Sequence, residues 1–438
     1  MLRPCDRFAE SSLFPFSMRF LCSPPQENAM KHVIIGNGIA GISAAETIRS
    51  MTPDADIVMI GDETAPPYCR PMISMVLEGS ITGERLPIRD ADFYERAGIS
   101  PVLSHRVSAI DVEGKSVRIG GERPIPFDRL LLATGADPRP IRAENRHLGN
   151  IFFMRTQEHV RGMLQALPQV RRALILGGGL VGFKAAYGLL RRGVEVTMLI
   201  RSGYPLSQQV DSHAGRMILK ELVSRGLEVR VETDVAAFDG NGAVRRAHLS
   251  DGTEIPCDMV VVGKGVLPAL SFVPRDKIAV DLGILVDEQL RTTAPDIYAA
   301  GDVAESMDIA RNSRWVNAIW PEAVAQGRIA GMNMAGRTVA YKGSLSRNVI
   351  RIFGLDVMTA GIVNPPEDDR YKIVSAIDRR RRSYRKLVFH EDRLVGMTLV
   401  NDIEQGGVLV ALIQGCIAVR IPGEKMLAPG FNCRRLFI

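Results

Sequence analysis

The sequence predicts an α/β protein: two Rossmann-like dinucleotide-binding domains, the first discontinuous with the second inserted into it, and a small C-terminal α+β domain. Three observations carry that prediction. The segment KHVIIGNGIAGISAAETI begins at Lys31, and a segment of the same design, RALILGGGLVGFKAAYGLL, begins at Arg172. Each reads as a strand, a glycine turn and a helix, and each is followed by a β-branched run (DIVMIGDE, VEVTMLIR) that continues a parallel βαβ unit. After about residue 340 the pattern changes to alternating strands, NVIRIFGLDVMTAGIV, YKIVSAI and RKLVFHEDRLVGMTLV, and closes on a helix, GGVLVALIQG.

At 438 residues the chain suits two or three domains. The run FDRLLLATGADPRP is a buried strand ending in glycine and prolines, which marks a crossing between domains, and DMVVVGKGV leads to a second crossing. The strand-like GILVDEQLRTTAPDIYAAGDVAE and the helix-like PEAVAQGRIAGMNMAG must then join a sheet already begun. The expected boundaries are 30–140 with 265–340 for the first domain, 141–264 for the second and 341–438 for the third. Residues 1–29 are expected to be a disordered extension, since Pro15, Arg19 and interspersed acids break any targeting-peptide pattern. Met30, directly before the first strand, is an alternative start.

Composition fits a globular enzyme rich in tight turns, with 46% hydrophobic residues, 24% charged residues and 41 glycines. No apolar run reaches the roughly 18 residues of a membrane span, so none is expected. The formal charge of +6 is spread along the chain except for Arg379, Arg380, Arg381, Arg382, Arg385 and Lys386. This cluster lies between two strand-like stretches and reads first as a solvated hairpin tip, second as a docking point for an acidic protein; nucleic acid is not indicated. The six cysteines show no CxxC or CxxxxC spacing, so no disulfide framework, metal or iron–sulfur site is signalled, and a reducing cytoplasm fits best.

The glycines carry the chemistry. Gly36, Gly38 and Gly41 form GxGxxG between strand and helix, with Ile39 and Ala40 opening the helix. In that context Gly36 permits the turn, Gly38 lets the backbone approach a pyrophosphate, and Gly41 lets helix and strand pack, while the helix N-terminus presents free N–H groups. Glu63, just past the second strand, is placed to accept hydrogen bonds from a ribose. Gly177, Gly179 and Gly182, with Leu180 and Val181, repeat the arrangement, and Gly263 ends the run DMVVVG. At the second ribose position Ile200 and Arg201 replace the expected acid: Arg201 suits the 2′-phosphate of NADP(H), but Ser207 stands where a second basic residue is expected, so NAD(H) is favoured.

With GNGIAG and GDE, the LLLATGADPRP crossover, GGGLVG and TTAPDIYAAGDV, the chain resembles the FAD-dependent pyridine nucleotide-disulfide oxidoreductases over about residues 31–335. Within them it resembles the rubredoxin, ferredoxin and nitrite reductase flavoprotein branch, and also the FAD/NAD subunit of tungsten-containing aldehyde oxidoreductases. The resemblance implies that FAD occupies the first domain, with Asp302 after Gly301 on the ribityl chain and Ala133, Thr134 and Gly135 near the pyrophosphate and adenosine. PPYCRPMIS is similar to a YxRPxLS segment, which implies that Arg70, Pro71 and Ser74 neighbour FAD; Val107 resembles an adenine contact, and Trp320 resembles a residue that approaches the flavin ring.

The departures matter too. The redox CxxxxC and C-terminal His-Pro of the disulfide reductases are missing, so disulfide reduction is not expected. Lys184 replaces a glutamate common in the family near the meeting point of nicotinamide and flavin, which makes it the catalytic candidate. Hydride transfer needs little more than the two rings stacked, since the chemistry is the cofactor's. No second redox group and no acid–base pair for a small substrate is visible. The expected function is therefore electron exchange between NAD(P)H, FAD and a protein partner, either a carrier such as rubredoxin or ferredoxin or an iron–sulfur or other metalloenzyme subunit of a complex. Two alternatives are an NAD(P)H oxidase or peroxidase using Cys69, and a flavoprotein scaffold that changes shape on binding nucleotide. The oligomeric state is left open.

Overall fold

The structure, a computed structural model, describes residues 30–121, 123–428 and 430–432, so the expectation for residues 1–29 lies outside it. Two parallel five-stranded sheets repeat one plan. In the first, β1 (Lys31–Ile35) leads through α1 (Ile39–Met51) to β2 (Asp56–Ile60). The short helix α2 (Ile73–Glu78) follows, then β3 (Ile99–Val102) beyond β2 and β4 (Arg129–Leu132) on the other side of β1. The strand Ile297–Ala299, far along the chain, completes the sheet by pairing with Leu130–Leu132. These strands are apolar almost throughout because both faces are buried: they share one core with α1 and with the antiparallel strands Val107–Asp111 and Ser116–Ile119.

The second sheet is built from β5 (Ile151–Phe153), β6 (Arg172–Leu176), β7 (Glu195–Ile200), β8 (Glu228–Val231) and β9 (Met259–Val262), in the order β8-β7-β6-β9-β5. Its helices are α3 (Gln157–Ala166), α4 (Leu180–Arg191) and α5 (Ser212–Ser224). The chain enters and leaves this part through two short strands, Ala136–Pro138 and Val266–Pro268, which pair antiparallel with each other. In the run after Gly283 the first strand is short: Ile284–Leu285 pairs with Ala304 and Glu305, and Asp287 then closes a turn back to Arg291 before Ile297–Ala299 joins the sheet.

After α6 (Trp320–Met334), the C-terminal part is one antiparallel sheet with two helices. Its strands are β10 (Arg347–Ile352), β11 (Leu355–Gly361), β12 (Tyr371–Asp378), β13 (Ser383–His390) and β14 (Arg393–Val400), in the order β10-β11-β14-β13-β12. The helices α7 (Gly406–Gln414) and α8 (Gly423–Met426) follow. One apolar core is shared by all three parts: Ile73 and Leu77 around α2, Ala185 and Leu189 on α4, and Ile352 and Leu355 of the C-terminal sheet belong to it.

The arginine-rich cluster departs from the expected solvated tip. Arg379, Arg380 and Arg381 are exposed in the turn, but Arg382 reaches Glu221 of α5 at 2.6 Å. Lys386 is buried, 3.0 Å from Asp211 and donating to the Val363 carbonyl at 2.9 Å, while Arg385 reaches Asp402 at 3.3 Å and the Leu427 carbonyl. The reason is strand parity: successive side chains of β13 point to opposite faces, so each face delivers its cations to a different set of acceptors.

Candidate dinucleotide site

Both parallel sheets abut one cavity of about 610 Å³. Its floor is the turn between β1 and α1. Gly36 has φ +124°, and a Cβ there would stand 2.1 Å from the Ala133 carbonyl oxygen, so no other residue fits. A Cβ on Gly41 would stand 2.0 Å from the Gly36 oxygen, which is why α1 packs so close to β1. Gly38 differs: nothing lies within 4 Å of its missing Cβ, and as N-cap of α1 it supplies no side-chain acceptor to the first-turn N–H groups. A bare helix N-terminus facing open space is a cradle for a diphosphate. FAD fits these residues.

The cavity wall gathers most of the residues singled out in the sequence. Gly36, Gly38, Ile39 and Ala40 line it, as do Glu63, Arg70, Pro71, Ser74 and Val107. Ala133, Thr134 and Gly135 border it from the end of β4, and Gly301, Asp302 and Trp320 from the segment leading into α6. From the second sheet come Val181, Lys184 and Gly263. Gly41 stands behind the wall. Gly177, Gly179, Leu180, Gly182 and Arg201 are not part of it; the first four form the second glycine turn, at the start of α4, and Arg201 follows the end of β7. There Gly177 has φ +108°, and only the Gly263 oxygen, at 3.8 Å, approaches the open side of Gly179. Arg201 is exposed and forms no hydrogen bond or ion pair among the described residues.

Charges in the wall form a relay of contacts. Glu63 accepts from Arg70 at 2.5 Å and from the Tyr68 hydroxyl at 2.7 Å. Burial raises the Tyr68 hydroxyl far above its ordinary range and opposes the charge on Arg70, but the Glu63 and Asp302 carboxylates favour the charged guanidinium. Arg70 also donates to the Arg155 carbonyl at 2.8 Å, and Arg155 pairs with Asp302 at 3.0 Å. Gly301, the neighbour of Asp302, is pinned by its N–H to Gln326 of α6 at 2.8 Å.

Sequence reasoning missed Arg155, Thr156 and His159, all in the wall. They sit where β5 turns into α3: Thr156 caps the helix by accepting from the His159 N–H at 3.2 Å, and the His159 ring accepts from the Thr156 N–H at 3.2 Å. Burial lowers the His159 pKa, in keeping with the neutral ring that this acceptor role needs. The available signal was the Thr-x-x-His spacing, a variant of the capping box.

Lys184 is half-buried in the wall and forms no hydrogen bond or ion pair among the described residues. Burial lowers its pKa, and the Cys69 thiol is an electrostatic neighbour. Cys69 itself lies outside the wall, and burial raises its pKa, so the thiol is protonated at neutral pH. Among the described residues no group of His, Cys, Asp and Glu could hold a metal ion, and no helix is long and apolar enough to cross a membrane.

Two glycine-turn folds on one cavity define an α/β protein of the two-dinucleotide class. The chain belongs to the pyridine nucleotide-disulphide oxidoreductase family, whose pattern matches residues 30–327; that of the rubredoxin NAD+ reductase C-terminal domain matches residues 347–416. Proteins of this family bind FAD and NAD(H). The chain is 31% identical over 384 residues to the nitrite reductase [NAD(P)H] of Bacillus subtilis (strain 168), covering 87% of this chain and 47% of that protein. It therefore spans about half the length of that relative. It is 28% identical over 386 residues to the rubredoxin-NAD(+) reductase of Pseudomonas putida, covering 87% of this chain and 98% of that protein. The reductase in the covalent putidaredoxin reductase–putidaredoxin complex has the same fold, with a TM-score of 0.85 over 94% of this chain and 99% of that chain, at 23% identity.

Proposed function

We propose that this chain moves reducing equivalents between NAD(P)H and an electron-carrier protein by way of FAD. The observation that carries the reading is the single cavity into which the open cradle at Gly38 and the first turn of α4 both face. FAD, when bound, supplies the exchange of a two-electron hydride for single electrons. The chain's own residues bind and orient: the α1 N-terminus holds the diphosphate, Asp302 and Arg155 hold the polyol side, and Glu63 meets the adenosine ribose. The second glycine turn receives the nicotinamide dinucleotide, with Arg201 at its ribose. The division into 30–140 with 265–340, 141–264 and 341–438 belongs to this reading, as does a reducing cytoplasmic setting.

Anaerobic titration of the purified chain with NADH and then NADPH tests the reading. The flavin band is expected to bleach within seconds, and NADH to act at lower concentration. A folded sample that stays colourless with added FAD overturns it. The thiol-based oxidase alternative loses support because Cys69 is protonated and outside the wall.

Lys184 lines the wall from α4, and in this reading its charge favours negative charge on the reduced flavin. Lys184→Gln is expected to lower the two-electron potential of the bound flavin by on the order of 30 mV, equivalent to about 1.4 kcal/mol, measured by equilibration with a reference dye. An unchanged potential removes the lysine from the mechanism.

A further inference from the structure

The two glycine-turn lobes correspond residue by residue through their hydrogen bonds. The Gly36 N–H donates to the Ile60 carbonyl and the Gly177 N–H to the Leu199 carbonyl, each at 2.8 Å, so Ile60 and Leu199 are equivalent. Ile60 pairs with Val102 and Leu199 with Arg230, so those two are equivalent as well. Counting onward along each strand brings Arg201 to the place of Asp62, Ser202 to that of Glu63, and Glu232 to that of Ser104. The backbone agrees, since Ser104 and Glu232 are both left-handed, with φ +63° and +57°. That conformation is costly for a glutamate and concentrates at ligand-binding sites.

The second lobe thus has a serine where the first has the acid Glu63, and it carries an acid on the neighbouring strand instead. Ile200 pairs with Val231, so Arg201 and Glu232 follow the last pair of β7 and β8 side by side. They stand at the carboxyl ends of the strands, where such sheets bind nucleotides. The Glu232 carboxylate lies beside the Ser202–Gly203 loop, its Oε1 3.7 Å from where a Gly203 Cβ would stand. It is exposed and has no hydrogen bond or ion pair among the described residues, whereas Asp234, the other acid of its segment, is held by Lys264 at 2.6 Å.

We infer that Glu232 is the residue that makes the second lobe select a dinucleotide with a free 2′-hydroxyl. The inference rests on the reading of that lobe as the NAD(P)H site. A carboxylate there accepts hydrogen bonds from the ribose, repels a 2′-phosphate and offsets the pull of the neighbouring Arg201 on that phosphate. Arg201 alone would favour the phosphorylated nucleotide; the acid from β8 reverses the preference.

Calorimetric titration of the full FAD-loaded chain with ADP-ribose and with ADP-ribose 2′-phosphate tests it, because these probes carry the adenosine end without the nicotinamide. The wild-type chain is expected to bind ADP-ribose roughly tenfold more tightly than the 2′-phosphate. Glu232→Gln keeps the shape and removes the charge; it is expected to weaken ADP-ribose roughly tenfold and to tighten the 2′-phosphate by a similar factor. Glu195, exposed at the other end of β7, provides the control: Glu195→Gln makes the same change in net charge and is expected to leave the ratio as it was. In anaerobic flavin bleaching, Glu232→Gln is expected to shift the half-saturating concentrations of NADH and NADPH in the same opposite directions, at an unchanged limiting rate. An unchanged ratio in Glu232→Gln, an equal shift in Glu195→Gln, a wild-type preference for the 2′-phosphate, or binding of neither probe each overturns the inference. None of these touches the redox reading, which falls only if neither NADH nor NADPH bleaches the flavin.

Discussion

His32 shows how much one side chain in β1 can depend on its surroundings. It is 1% exposed, its Nδ1 has no hydrogen-bond partner among the described residues, and burial with the nearby Arg129 lowers its pKa to about 4. A depressed histidine favours the fold when neutral, so its contribution is complete above the ordinary value of 6.5 and is lost as pH falls through about 4. Wild-type stability is expected to drop by up to about 3 kcal/mol across that window from this group. His32→Leu should flatten the corresponding part of the melting temperature against pH; an unchanged slope would show that the acid sensitivity lies elsewhere. Gly36 is as demanding in a different way. With 2.1 Å between a new Cβ and the Ala133 oxygen, Gly36→Ala must shift β4 or the turn, at about 1–3 kcal/mol. Weakened FAD retention, roughly ten- to a hundredfold, is the expected outcome, read from the ratio of flavin to protein absorbance after gel filtration.

In the β12–β13 hairpin, charge means different things a few residues apart. Burial disfavours the Asp211 carboxylate, yet the Ala214 N–H, the Tyr384 hydroxyl and Lys386 outweigh it and leave its pKa below the ordinary value. Lys386→Met removes the cation from that pocket and is expected to cost about 3–5 kcal/mol in urea unfolding. Arg380→Ala, in the exposed turn, is expected to change stability by no more than about 0.5 kcal/mol. The sequence showed a run of six cations but not their destinations, because Asp211 and Glu221 approach from α5, far away in the chain. The glycine turns were legible for the opposite reason. Gly36, Gly38 and Gly41 act within one strand–helix connection, so spacing alone carries the geometry. Arg155 and His159 lie in no family-like motif and enter the wall only because the second sheet docks beside the first. Conversely, the spacing of Gly177 and Gly179 shows the turn between β6 and α4, but their separation from the cavity wall is a property of domain packing that spacing does not encode.

Across the whole molecule, Arg155 is one of the side chains that tie the two parallel sheets together at the cavity, with Arg70 and Tyr68. It comes from the β5–α3 turn, pairs with Asp302 beside Ile297–Ala299, and donates to the Ala136 carbonyl at 2.9 Å. Arg155→Ala is expected to leave the fold intact and speed release of FAD about tenfold, equivalent to 1.4 kcal/mol; unchanged release would make the pair structural only. The connection between the two sheets has a different consequence. Because Ala136–Pro138 and Val266–Pro268 lie side by side, the chain enters and leaves the intervening lobe at one place. Excising it leaves a gap of only about 5 Å to bridge, a span that a short turn can close. The nucleotide lobe is thus a natural graft: one with a different appetite for the 2′-phosphate could be spliced in at the same two points, provided that it keeps the side chains of α4 and α5 that meet α2, Arg382 and Lys386.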